Sequence, residues 1–265
     1  MLFRSGSVNT QDSRINIAAN AKPSNSVGVN SIVVGYQNTT DDEDGTTALG
    51  ANNQAYGNSG LAVGNQNESR GGASTAIGAG NRASGAATVA IGNVSNANAK
   101  SAIAIGSYNN VNYKKGTWAT APLQAGAYST VVGNYSSATG RESAAMGVYS
   151  NSVGPGSFAA GYKENALGQN SVAIGSENTS HVADTITLGQ QNNAKTMGGI
   201  SIGKNNLTDS SNDGRNAANT RDENSQIAIG RDNVATHLDT IAIGRETTAS
   251  GSGSTVVGAR AEASG

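Results

Sequence analysis

A five-residue cassette ending in glycine returns every 14 residues along this chain, and that period constrains the fold more than any other property. The cassette, small–apolar–Ala–apolar–Gly, closes at Gly35, Gly50, Gly64, Gly78, Gly92, Gly106, Gly133, Gly147, Gly161, Gly175, Gly189, Gly203, Gly230, Gly244 and Gly258. The steps are 14 residues except for one of 15 near the start and two of 27. Ile15-Asn16-Ile17-Ala18 resembles a worn first copy, ending 17 residues ahead of Gly35. A short strict period means a solenoid, in which each unit carries an apolar face that only stacked neighbours can cover.

Positions are numbered here from the cassette glycine. Position -1 is apolar throughout (Val34, Ile91, Ile174, Ile243) and -3 is often β-branched (Ile32, Val89, Val172, Ile241). Positions two apart share one face of a strand, and five residues suit a strand but not a helix. The intervening -2 position is alanine in ten copies: Ala48, Ala62, Ala76, Ala90, Ala104, Ala145, Ala159, Ala173, Ala228 and Ala242. A strand apolar on both faces is buried on both. One row must line the interior of the coil and the other must be covered by something else. The thin lumen predicts an oligomer with the alanine rows toward its axis; the alternative places those alanines in the coil's own core.

After the glycine, Asn recurs at +3 (Asn38, Asn53, Asn67, Asn178), a small residue at +5 (Ala55, Ala83, Ala166) and Gly at +7 (Gly57, Gly85, Gly154). Asn tolerates turn conformations and stacked copies can form a ladder, while Gly at +7 marks a second turn needing torsional freedom. Each unit is therefore strand, turn, shorter strand, turn. Pro23, Pro122 and Pro155 all avoid the cassettes, as ladder strands require. The fold class is all-β, a parallel solenoid of 14-residue coils. Residues 1–30 form irregular N-terminal coil, and 31–265 the repeats, with insertions at about 107–128 and 204–225.

Composition excludes much else. A net charge of -1 gives no footprint for nucleic acid or an anionic membrane surface, and no basic stripe follows the repeat. Zero cysteines remove disulfides and thiolate chemistry. No apolar run of bilayer-spanning length exists, and Met1-Leu2-Phe3 is followed at once by Arg4 and Ser5. Any leader, stalk or membrane anchor is expected to lie outside this sequence. His181 and His237 fall in turns with no Ser or Asp placed reproducibly beside them, and no paired carboxylates recur on one face. Asp209 to Gly214 faintly echoes a calcium loop, but Thr220 stands where the closing Glu belongs. No catalytic, cofactor or metal site is expected.

The copies Ser171-Val172-Ala173-Ile174-Gly175, Thr88-Val89-Ala90-Ile91-Gly92 and Gln226-Ile227-Ala228-Ile229-Gly230 resemble the SVAIG head repeat of YadA-like trimeric autotransporter adhesins. That resemblance implies a left-handed parallel β-roll with three chains around one axis, exported by type V secretion and displayed beyond the outer membrane of a Gram-negative bacterium. It implies a non-enzymatic virulence-type adhesin whose partners are itself, as a homotrimer, and a host matrix protein or host cell receptor. The alternative partner is another bacterium, giving autoaggregation, coaggregation or biofilm.

Two features are candidates for ligand contact. The first insertion carries Tyr113, Lys114, Lys115 and the only tryptophan, Trp118; long solenoid loops are often functional, although packing back on the rod or against the next subunit is the plainer reading. Tyr108, Tyr135 and Tyr149 all occupy +2 in three consecutive coils and would stack about 5 Å apart, as a docking strip or as simple ladder packing. The Asp41-Asp42-Glu43-Asp44 run and the polar second insertion read as solvated loops.

Overall fold

The computed structural model describes residues 15–18, 29–40, 44–111, 127–209 and 225–264. They fall into two compact units, Met1–Tyr135 and Ser136–Gly265, which share one building plan. No helix occurs among the described residues.

In the first unit the cassettes are parallel strands lying side by side, from Ile32–Tyr36 and Thr47–Ala51 to Ile103–Ser107 and Thr130–Asn134. Ile15–Ala18 pairs with the first of them, Ile15 opposite Ile32 and Ala18 opposite Gly35, so the worn copy is a true coil. Two-residue strands such as Thr39–Thr40, Gln54–Ala55 and Arg82–Ala83 form a second parallel sheet. The second unit repeats this, with cassettes from Ala144–Val148 to Thr255–Ala259 and short strands from Ser137–Ala138 to Glu262–Ala263. Glycine pairs with glycine even across the 27-residue steps, Gly106 with Gly133 and Gly203 with Gly230, so the ladder ignores the insertions.

The lumen is built from the smallest side chains. All ten -2 alanines are 0% exposed within the single chain, and Val33, Val131, Thr187, Ser201 and Val256 fill the same position elsewhere. Where the short strand is described, a small residue at +5 lies against this row, as in the cluster Ala159, Ala166 and Ala173. This corrects the expectation that the alanine rows face an oligomer axis. The lumen is closed by the chain's own side chains, mostly alanine with an occasional Val, Thr or Ser, so alanine here is selected by packing within one chain. The row left outside is -1 and -3, where Ile105, Met146, Ile186 and Leu188 are 37–44% exposed.

The turn chemistry also differs from expectation. The left-handed residue of the first turn is +2, not the asparagine at +3: Gln37 (φ 50), Tyr108 (φ 53), Lys163 (φ 54) and even β-branched Val94 (φ 53) adopt it. Asn at +3 points inward instead. Asn192 Nδ2 donates to the carbonyls of Leu188 (3.0 Å) and Gly203 (2.8 Å) and to Asn178 Oδ1 (3.0 Å), while Asn192 Oδ1 accepts from the backbone N–H (3.1 Å) and Nδ2 (2.9 Å) of Asn206. These amides tie each coil to the next, satisfying backbone groups that the turn leaves unpaired.

The cassette glycine needs its identity twice over. Gly175 has φ 129, and a Cβ there would collide with the carbonyl oxygen of Gly189 in the next coil. At +7 the reason is proximity alone. Gly168 has no positive φ, but a Cβ would strike the Val182 carbonyl, whereas the left-handed residues of that turn lie two positions later, as Ser59 (φ 58) and Asn170 (φ 52).

Candidate adhesive surface

With the lumen sealed by small side chains, any contact with another molecule falls on the turns and outer faces. The first turn is the more distinctive. Its left-handed +2 residue cannot point into the coil, so whatever stands there is thrust into solvent. In the first unit this gives Tyr108 and Tyr135, 47% and 48% exposed, with ring centroids 4.8 Å apart and planes 2° from parallel. The ring spacing matches the strand spacing of a parallel sheet, which is why face-to-face stacking results. Stacking hides the inner ring faces and leaves edges and phenol oxygens outward.

In the second unit Tyr149 at +2 meets Tyr162 at +1 of the next coil edge-on, at 6.4 Å and 80°. Lys163 Nζ sits 5.0 Å from the Tyr162 ring centroid and 3.7 Å from Glu177 Oε1. Tyr162 first, and then Glu177, raise the lysine pKa above its ordinary value, so this ammonium stays charged at neutral pH. The structure therefore brings Tyr108 to Tyr135 as a parallel stack and Tyr149 to Tyr162 edge-on. Tyr113, Lys114, Lys115 and Trp118 lie outside the described residues, as does most of the second insertion.

One element escaped the sequence. Lys204, Arg231 and Arg245 occupy +1 in successive coils and pair in register, giving a short exposed basic column. This corrects the expectation of no basic stripe, and the 27-residue step between Lys204 and Arg231 is what conceals it. The column is partly compensated: Arg231, Arg245 and Arg260 surround Glu246 at 3.7, 3.8 and 3.0 Å, and Arg231 also meets Asp232 at 3.2 Å. Exposed pairs of this kind add little stability but fix where the guanidinium groups stand.

The two histidines stand apart among the described residues. His181 is exposed on the short-strand face, where burial of its ring edge and then the Lys195 ammonium lower its pKa. His237 Nδ1 lies 2.7 Å from the Thr236 carbonyl. No group of three or more His, Asp or Glu poised for a metal occurs among the described residues.

The family model described as YadA head domain repeat, spanning two copies, matches residues 26–53, 43–67, 69–95, 83–109, 125–150, 138–163, 154–178 and 227–247, together more than half of the chain. No curated protein matches the sequence significantly.

Proposed function

The chain belongs to the YadA head-repeat family, and on that premise we propose that it is the head of a trimeric surface adhesin that attaches a Gram-negative bacterium to host matrix or host cells. The head works by presentation, not by catalysis. The observation that carries this reading is the division of labour within each coil: the ladder and lumen are closed by the chain itself, while two kinds of residue face out. The apolar -1 and -3 row, with Leu188 41% and Ile105 37% exposed, suits burial against sister chains. The turn rim, with its tyrosines, Lys163 and the basic column, suits contact with a partner. Three copies on one axis multiply a weak single contact by avidity. The left-handed winding is carried over from the family.

Two measurements test this. Sedimentation of the purified chain is expected to give three times the 26.4 kDa of one polypeptide, and Leu188→Glu with Ile105→Glu to reduce it to one. A well-folded monomer that adheres normally overturns the assembly. Binding to immobilised matrix proteins above that of an unrelated solenoid supports host attachment; equal binding refutes it. Clumping of cells displaying the head, without matrix binding, assigns the contact to other bacteria.

A further inference from the structure

Counting from Gly161 puts Glu164 at +3, the ladder position that nine other coils give to asparagine. Its side chain lies where the amides lie, and the residue is 0% exposed. Oε1 accepts from the Asn178 backbone N–H at 3.4 Å and from Asn178 Nδ2 at 3.1 Å, whereas Oε2 is buried without a hydrogen-bond partner. An asparagine here would do more. In sister coils Nδ2 donates both to the carbonyl four residues back and to the glycine carbonyl of the next coil, as Asn178 does to Ile174 (3.0 Å) and Gly189 (2.8 Å). The corresponding carbonyls at this level belong to Ala160 and Gly175. An ionised carboxylate has no hydrogen to offer them; only the protonated acid does.

We infer that Glu164 is held as the neutral carboxylic acid in the folded turn, and that its ionisation loosens the coil from Tyr162 to Asn178. The rim that Tyr162 and Lys163 present is thereby firm in mild acid and relaxed in mild alkali. Among the described residues no cation is turned toward Glu164. In the coil before, Tyr149 points out at 50% exposure and Ser150 points in; in the coil after, Glu177 is outward and Asn178 inward. Within its own coil Tyr162 and Lys163 are outward, and the facing strand residues are Ala159, Ala166, Ala173 and Ser180. His181, the next titratable group along the short-strand face, is exposed. Burial accordingly raises the Glu164 pKa from 4.5 to about 7, against a smaller opposing pull from Asn178. Since the folded value lies above the unfolded one, the contribution to stability is complete below about 4.5 and is lost as pH rises through about 7.

The test is backbone hydrogen exchange of the full chain at pH 6 and pH 8.5, corrected for intrinsic rates, in the native sequence and in Glu164→Gln. The glutamine keeps the shape and supplies the missing donor. Amides 162–180 of the native chain are expected to lose about tenfold of their protection at the higher pH, and those of the variant to keep it. Equal behaviour of the two, or no loss in the native chain, overturns the inference. Should the variant fail to fold, carbon-13 detection of glutamate carboxyls in the native chain decides alone: one carboxyl titrating near 7 supports the inference, and all titrating in the ordinary range refute it.

Discussion

Replacing Asn192 by alanine removes one rung of the buried amide ladder without touching the surface or the cassette. The residue is 1% exposed, and its loss deprives three backbone groups at once, besides the side-chain amides of Asn178 and Asn206. The carbonyls of Leu188 and Gly203 lose a donor, and the backbone N–H of Asn206 loses the Asn192 Oδ1 acceptor 3.1 Å away. A buried polar group left unpaired costs about 1–3 kcal/mol, with carbonyls at the lower end because a second lone pair can remain engaged. The expected destabilisation is therefore about 3–5 kcal/mol. Serine at this position should cost about half as much, because Ser95 shows what a hydroxyl retains: its Oγ still donates to the Gly106 carbonyl, at 2.9 Å. Gln191→Ala is the control, since that side chain is exposed and should shift stability by less than about 0.5 kcal/mol. Urea unfolding followed by circular dichroism measures all three. Near-neutral Asn192→Ala, or serine as damaging as alanine, would show that the ladder is ornamental and that backbone pairing alone holds the coils.

Gly189→Ala should destabilise by several kcal/mol, because its φ of 122 and a collision with the Gly203 carbonyl act together, while Gly253→Ala, with φ 73 and nothing within 4 Å, should cost only about 1–2 kcal/mol of left-handed strain; thermal unfolding separates them. Between pH 5 and pH 9 the native chain should lose up to about 3 kcal/mol relative to Glu164→Gln, the equivalent of a pKa moved from 4.5 to about 7, and parallel pH–stability curves would refute this. Tyr135→Ser should leave the melting temperature within about 2 °C, since the ring is half exposed, yet weaken any partner that docks along the stacked pair; unchanged affinity removes that rim from the adhesive surface.

The repeat unit was legible from spacing alone because parallel coils preserve register, and a period in sequence is a period in space. Ile15–Ala18 could be assigned as a coil for that reason. Which face of the strand lies inside was not legible. Alanine is acceptable both in a narrow lumen and at a crowded axis, and only the complete burial of Ala159 against Ala166 within one chain decides for the lumen. The glycine at +7 showed a similar ambiguity, since a residue required for close approach looks the same in sequence as one required for torsion. Tyr108 and Tyr135 were found from their shared position, but the column Lys204–Arg231–Arg245 was interrupted by inserted residues. Glu164 passed unnoticed because a charged residue in a polar turn draws no attention until the turn proves to be buried.

The first turn separates what the backbone needs from what the side chain displays. Its +2 residue takes the left-handed conformation whether it is Gln, Val, Tyr, Lys, Glu or Arg, because the ladder on either side imposes it. The folding machinery is thus indifferent to the letter written there. Mutation can redraw the outermost row one coil at a time, changing the face it offers to solvent, while the scaffold beneath stays untouched.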